Sequence, residues 1–277
     1  MDKNLKQSLI FFSLVLGLTF FVFWGPIALF KIPTVNLVQG GRGPVWAIIL
    51  FVLGGFVPSL TGIYLTYYYE GTTGLKKMFK KAIDFKMGSK LYIVALAVNI
   101  YLALSLILLN NILGTSFDFS QFWLQLPMLV PLIILGPLSE EFGWRGFAIK
   151  RLLKVLTPNQ ASLLIGLAWS FWHFPLFHIV GSSQFEFNIP FSVFLITVTV
   201  SSFIYTYLYI KSEGSIFSAI FFHWIYTYML QVVNSTISRS ILYNRLEFIP
   251  SLIAALIFVV LLKRISKEQD ISFVMTD

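Results

Sequence analysis

The chain has 277 residues, of which 57% are hydrophobic, 17% aromatic and only 12% charged. A soluble domain carries about 25% charged residues and disorder needs low hydrophobicity, so both are excluded and lipid is the expected solvent. The net charge of +8 is not gathered on a polar module, which argues against nucleic acid as a partner, and the absence of cysteine removes disulfide and thiolate chemistry.

A membrane-crossing helix needs about 20 mostly apolar residues. In chain order, stretches near 9–30, 45–69, 91–113, 123–148, 159–180, 191–210, 216–233 and 246–262 approach or meet this, the last being short and weak. The expected fold class is all-α: a polytopic membrane bundle of about eight transmembrane helices, forming a single integral-membrane domain over 1–277. The first stretch follows Lys3 and Lys6 as a signal-peptide core would. It is longer than the usual core of about 7–15 residues and lacks a small-x-small site, so a retained span is expected.

With eight crossings, fifteen of the 20 lysines and arginines lie on the side of both termini. Lys31, Arg42, Arg239 and Arg245 lie on the other, and Arg145 falls within a span. Positive residues favour the cytoplasm, so both termini are expected there. The segment Leu75–Phe85 sets Leu75, Met78, Phe79, Ala82 and Ile83 against Lys76, Lys77, Lys80 and Lys81, the pattern of a helix lying on anionic lipid or of a basic loop. The arms Lys31–Pro44 and Asn234–Pro250 are assigned no function.

Charge inside a bilayer costs at least about 2.5–3.5 kcal/mol per residue, so the fourth stretch stands out for Glu140, Glu141 and Arg145 in PLSEEFGWRGF. Glu141 and Arg145 are spaced i,i+4 in the favourable order. Glu140 projects about 100° away, which leaves it available while Glu141 neutralises Arg145. All three histidines fall in or beside spans: His173 in WSFWHFPLFH, His223 in FFHWIYTY, and His178, read as structural. Glu140 and His173 lie about 16 residues either side of one turn, at similar depth in an antiparallel hairpin. His223 lies only about 10 residues from its own turn, so it meets them only if the first hairpin projects further.

A carboxylate and two imidazoles can activate water and stabilise an oxyanion for acyl transfer. The same Glu140, His173 and His223 could instead hold a divalent metal such as zinc. The helical zinc motif H-E-x-x-H is absent, and no serine carries a nucleophile motif. A proton-coupled transporter using the same groups is a further alternative, with no visible repeat to support it.

The series Glu140-Glu141-x-x-x-Arg145, Trp169-x-x-x-His173 and His223-x-x-x-Thr227 resembles the motifs of the CPBP family. That family comprises CAAX-type prenyl endopeptidases and related bacterial bacteriocin-processing and abortive-infection proteins. The resemblance covers roughly 136–231, within a family core at about 123–233. It implies an eight-span bundle in a plasma membrane, bacterial here, that cleaves membrane-associated peptides, prenylated ones in eukaryotic members. By resemblance Glu140 and His173 would activate water, His223 would stabilise the oxyanion, and Glu141 and Arg145 would support the motif helix. The cofactor would be none or a divalent metal, and the partners membrane lipid and a peptide substrate. Two positions depart from the pattern: Trp169 stands where phenylalanine is usual, and Thr227 where asparagine or a similar residue is usual. Threonine offers one donor instead of two, which leaves open a weaker protease, a threonine acting through water, or a non-catalytic immunity or scaffold protein.

Overall fold

A computed structural model describes residues 1–34 and 43–268. It is a bundle of eight helices among the described residues: α1 (Lys3–Leu29), α2 (Val45–Ala82), α3 (Ser89–Ile112), α4 (Gln121–Leu152), α5 (Pro158–Trp172), α6 (Phe191–Lys211), α7 (Ile216–Thr236) and α8 (Ile241–Ser266). Most of the arm Lys31–Pro44 lies outside the described residues.

Seven of the helices are long and apolar enough to cross a membrane. Two expectations change here. The stretch read as short and weak is the 26-residue α8, while the one at 159–180 is the 15-residue α5 followed by a 3-10 turn, Phe174–His178. The cause is local. Thr157 and Gln160 form a capping box with Pro158 at the first helical position, which sets the start. Pro175 has no N–H and disfavours helix in the residue before it, which ends α5 early.

Lipid is written on the surface. Phe21, Ile93, Leu104 and Leu256 are each at least 60% exposed with nothing of the protein over them, as the outward faces of spanning helices require. The protein is an integral, multi-pass membrane protein.

Helix α2 continues past its span, but Gly71 at φ 64° and ψ −161° breaks the helical path, a conformation open chiefly to glycine. Beyond it Lys76, Lys77 and Lys80 are exposed while Met78 and Ala82 are buried. The apolar face expected to rest on lipid is therefore shared: Met78 packs beside Gly146 and Phe79 lies 5.4 Å from the Phe142 ring, whereas Ile83 stays exposed. A polar clamp ties this end together. Arg151 donates to Gln7 Oε1 at 2.8 Å, to the Phe147 carbonyl at 3.0 Å and to Glu70 Oε1 at 2.6 Å.

The helix that carries the acidic motif is irregular. Pro127, Pro131 and Pro137 interrupt its ladder, and π-helical turns occupy Ile134–Leu138 and Phe142–Ile149. It is held by close crossing. A Cβ on Gly62 of α2 would fall 2.6 Å from the Gly143 Cα, and one on Gly143 would fall 2.3 Å from the Pro58 carbonyl oxygen. Small residues permit such backbone approach, which substitutes for hydrophobic driving force between helices in lipid. Phe11 and Trp24 of α1 close the back, with Phe11 packed 5.4 Å from Trp144 and Trp24 packed 4.8 Å from Trp172.

Candidate active site

Helices α4, α5 and α7 bring the sequence-selected groups to one cavity of about 240 Å³, whose walls include Gly136, Glu140, Trp169, His173, His223 and Thr227. Glu141 and His223 are in direct contact, Nδ1 donating to Oε1 at 2.8 Å. Since Glu141 lies further from its turn than His223 does from its own, the α4–α5 hairpin extends further than the α6–α7 hairpin toward the lysine-rich end.

Glu141 also forms the expected pair with Arg145, at 3.2 Å and 3.1 Å from its two oxygens, with both side chains essentially buried. Arg145 stacks on rings as well: its guanidinium carbon lies 4.7 Å from the Trp169 ring centre and 4.1 Å from that of Tyr205. A desolvated guanidinium gains about 2 kcal/mol or more from such contacts, which offsets part of its burial cost. Thus Glu141 holds both Arg145 and His223 rather than Arg145 alone.

Glu140 is not free of partners, as the helical projection implied. Trp169 Nε1 donates to its Oε2 at 2.5 Å. The other oxygen, Oε1, makes no hydrogen bond among the described residues. Trp169 also fixes His173, since its carbonyl oxygen lies 2.8 Å from Nδ1. A carbonyl can only accept, so Nδ1 carries the hydrogen and Nε2 of a neutral ring carries the lone pair. The ring is held between Trp172 at 4.4 Å and Phe194 at 5.0 Å. His178 packs on Phe174 at 5.2 Å and is not among the cavity's walls.

Gly136 provides open space over the second imidazole. A Cβ built there would lie 3.5 Å from Thr227 Oγ1 and 3.7 Å from His223 Nε2, so both groups face the same small recess. Among the described residues no group of three His, Asp or Glu side chains is gathered for a metal ion. With Nδ1 of both histidines and Oε2 of Glu140 engaged, the atoms left to the cavity are Nε2 of each histidine and Oε1 of Glu140. Sequence reasoning missed three contributors: the Trp169 indole nitrogen, Tyr205 and Gly136. Trp169 could have been found from its place one helical turn before His173; Tyr205 carries no motif.

The fold and this centre define a polytopic membrane protein with a buried carboxylate–imidazole cluster. Residues 122–229 match the family described as type II CAAX prenyl endopeptidase Rce1-like. A curated relative, CAAX prenyl protease 2 of Methanococcus maripaludis, is 38% identical over 98 residues, covering 34% of this chain and 36% of the relative. Over this segment the chain is similar to the type II CAAX prenyl endopeptidases. The match spans about a third of the relative's length.

Proposed function

We propose that the protein is an intramembrane endopeptidase that hydrolyses membrane-associated peptides, CAAX-type prenylated ones among the substrates to be tried, in a bacterial plasma membrane. The observation that carries this reading is the meeting of Glu140, His173 and His223 on one cavity, with the unbonded atoms Glu140 Oε1 and His173 Nε2 left to engage a substrate or water.

In this mechanism a water molecule lies between Glu140 and His173, which orient it, and gives up one proton to Glu140 as its oxygen attacks the scissile carbonyl. The carbonyl oxygen, now negative, is met by His223. With Nδ1 held by Glu141, His223 donates from Nε2 only as an imidazolium. That state balances charge: His223 and Arg145 offset Glu140 and Glu141, so the centre is neutral in lipid. Thr227 Oγ1, facing the same recess, supplies a second donor. Collapse of the tetrahedral intermediate breaks the C–N bond, and the proton taken from water passes to the leaving amine.

Thr227 also motivates a second reading, a non-catalytic immunity or scaffold protein that keeps the cluster as helix glue. A panel of membrane-tethered and prenylated peptides, offered in lipid to the wild type and to Glu140→Ala with and without chelator, separates the two. Cleavage lost on substitution is expected, and sensitivity to chelator decides between metal and glutamate chemistry. No cleavage across the panel, with both proteins equally stable, would favour the second reading.

A further inference from the structure

The cavity does not end at the catalytic groups. Its far end is formed by Ser183, Gln184, Asn234, Arg239, Glu247 and Ser251. The arm between α7 and α8, which has no role in the motif series, delivers Arg239 to this end. Arg239 is built in rather than waving free: its side chain is 7% exposed. It donates from Nε to Asn244 Oδ1 at 2.9 Å, and from its two terminal nitrogens to Asn234 Oδ1 at 2.6 Å and Glu247 Oε2 at 2.5 Å. Phe187 and Tyr243 flank it, with ring centres 5.1 Å and 5.0 Å from the guanidinium carbon.

A guanidinium has five N–H groups. Three are used here, so each terminal nitrogen keeps one that can donate to a carboxylate. The spacing is also informative. Asn234, which touches Arg239, follows His223 by eleven residues on one helix, a rise of about 16 Å. The wall between is apolar, with Leu102, Leu106, Val198 and Leu230. About five extended residues cover that distance.

We propose that Arg239 receives the carboxyl-terminal carboxylate of the bound peptide, so that the bond presented to Glu140 and His223 lies about five residues from the chain end. The proposal rests on the endopeptidase reading and assigns its specificity. Glu247 satisfies Arg239 while the cavity is empty, and the incoming carboxylate accepts from the remaining N–H groups. A peptide ending in an amide brings no charge to this end and gains nothing from it.

The test is equilibrium binding to Glu140→Gln protein in nanodiscs, so that turnover plays no part. The probes are an N-terminally dansylated pentapeptide of leucine and valine with a free carboxylate, and its amide. The acid is expected to bind about 10-fold or more tighter than the amide, and the difference to vanish with Arg239→Gln. Glu247→Gln keeps the arginine and removes its resident partner, so it should tighten the acid and leave the amide unchanged, a gain that misfolding cannot mimic. Equal affinities with Arg239 intact, an acid preference that survives Arg239→Gln, or no gain with Glu247→Gln would each overturn the proposal. Acid preference in a protein that cleaves no peptide would instead sink the protease reading and leave the carboxylate site standing.

Discussion

The indole nitrogen of Trp169 lies 2.5 Å from Oε2 of Glu140, joining the second motif to the first by a side chain that the family pattern usually makes phenylalanine. One oxygen of the carboxylate is thereby held and the other faces the cavity. Trp169→Phe keeps an aromatic ring and deletes only the donor and some volume. It is expected to lower kcat by about 10-fold, the worth of one charge-assisted hydrogen bond, with KM nearly constant. Steady-state kinetics would show it. The carboxylate infrared band that disappears in Glu140→Gln should also shift in Trp169→Phe, whether or not a substrate is known. A band that does not move would mean that this bond is absent in the membrane.

Gly136 separates folding from chemistry. Its added Cβ would make ordinary contacts, 3.5 Å from Thr227 Oγ1 and 3.7 Å from His223 Nε2, so Gly136→Ala should unfold within about 1 kcal/mol of wild type. In the proposed mechanism the methyl would occupy the oxyanion's recess, and kcat should fall about 100-fold. Thermal unfolding and kcat on the same preparation check both halves. Unchanged turnover would remove the recess from the mechanism.

Thr227 points to a gain. Thr227→Asn offers two N–H donors in place of one hydroxyl and should raise kcat, by about 10-fold, while Thr227→Val should lower it. If both variants match wild type, Thr227 takes no part in catalysis.

The Glu141–Arg145 pair carries a stability prediction. Glu141→Gln leaves a buried guanidinium without its carboxylate and should cost about 3 kcal/mol or more. Replacing both residues, Glu141→Gln with Arg145→Met, should recover much of that loss while activity stays absent, because His223 remains without its ionic partner. Denaturant titration in mixed micelles gives the comparison. A double variant no more stable than Glu141→Gln alone would refute the pairing.

Gly62→Ala tests the crossing of α2 with the motif helix. The new Cβ would lie 2.6 Å from the Gly143 Cα and 2.7 Å from the Phe142 carbonyl oxygen, both backbone atoms that cannot turn aside. A loss of about 1–3 kcal/mol is expected, together with reduced activity as the motif helix is pushed off the cavity. Wild-type stability would mean that the helices separate freely there.

Much of this arrangement is legible before any coordinates. Apolar run length finds the spans, and the cost of charge in lipid singles out Glu140, Glu141 and Arg145. Where sequence reading falls short, the reasons are geometric. Counting rise from each turn assumes regular helices and level hairpins, yet α4 contains three prolines and two π-helical stretches. Hence Glu140 meets Trp169 and it is Glu141 that meets His223. The stretch at 159–180 is apolar throughout, and hydropathy does not register that Pro175 stops a helix. Tyr205 enters through packing between distant segments, and Arg239 through the near neighbours Asn234, Asn244 and Glu247; neither carries a motif to announce it.

The packing of α1 sets an order of assembly. Phe11 is fully buried, and its partners Trp144 and Phe147 are synthesised roughly 130 residues later. At ordinary synthesis rates that is a delay on the order of ten seconds. During it Phe11 stands in lipid without its Trp144 and Phe147 partners. The rear wall of the centre is therefore in the membrane well before the helix it backs, and closes only when that helix arrives.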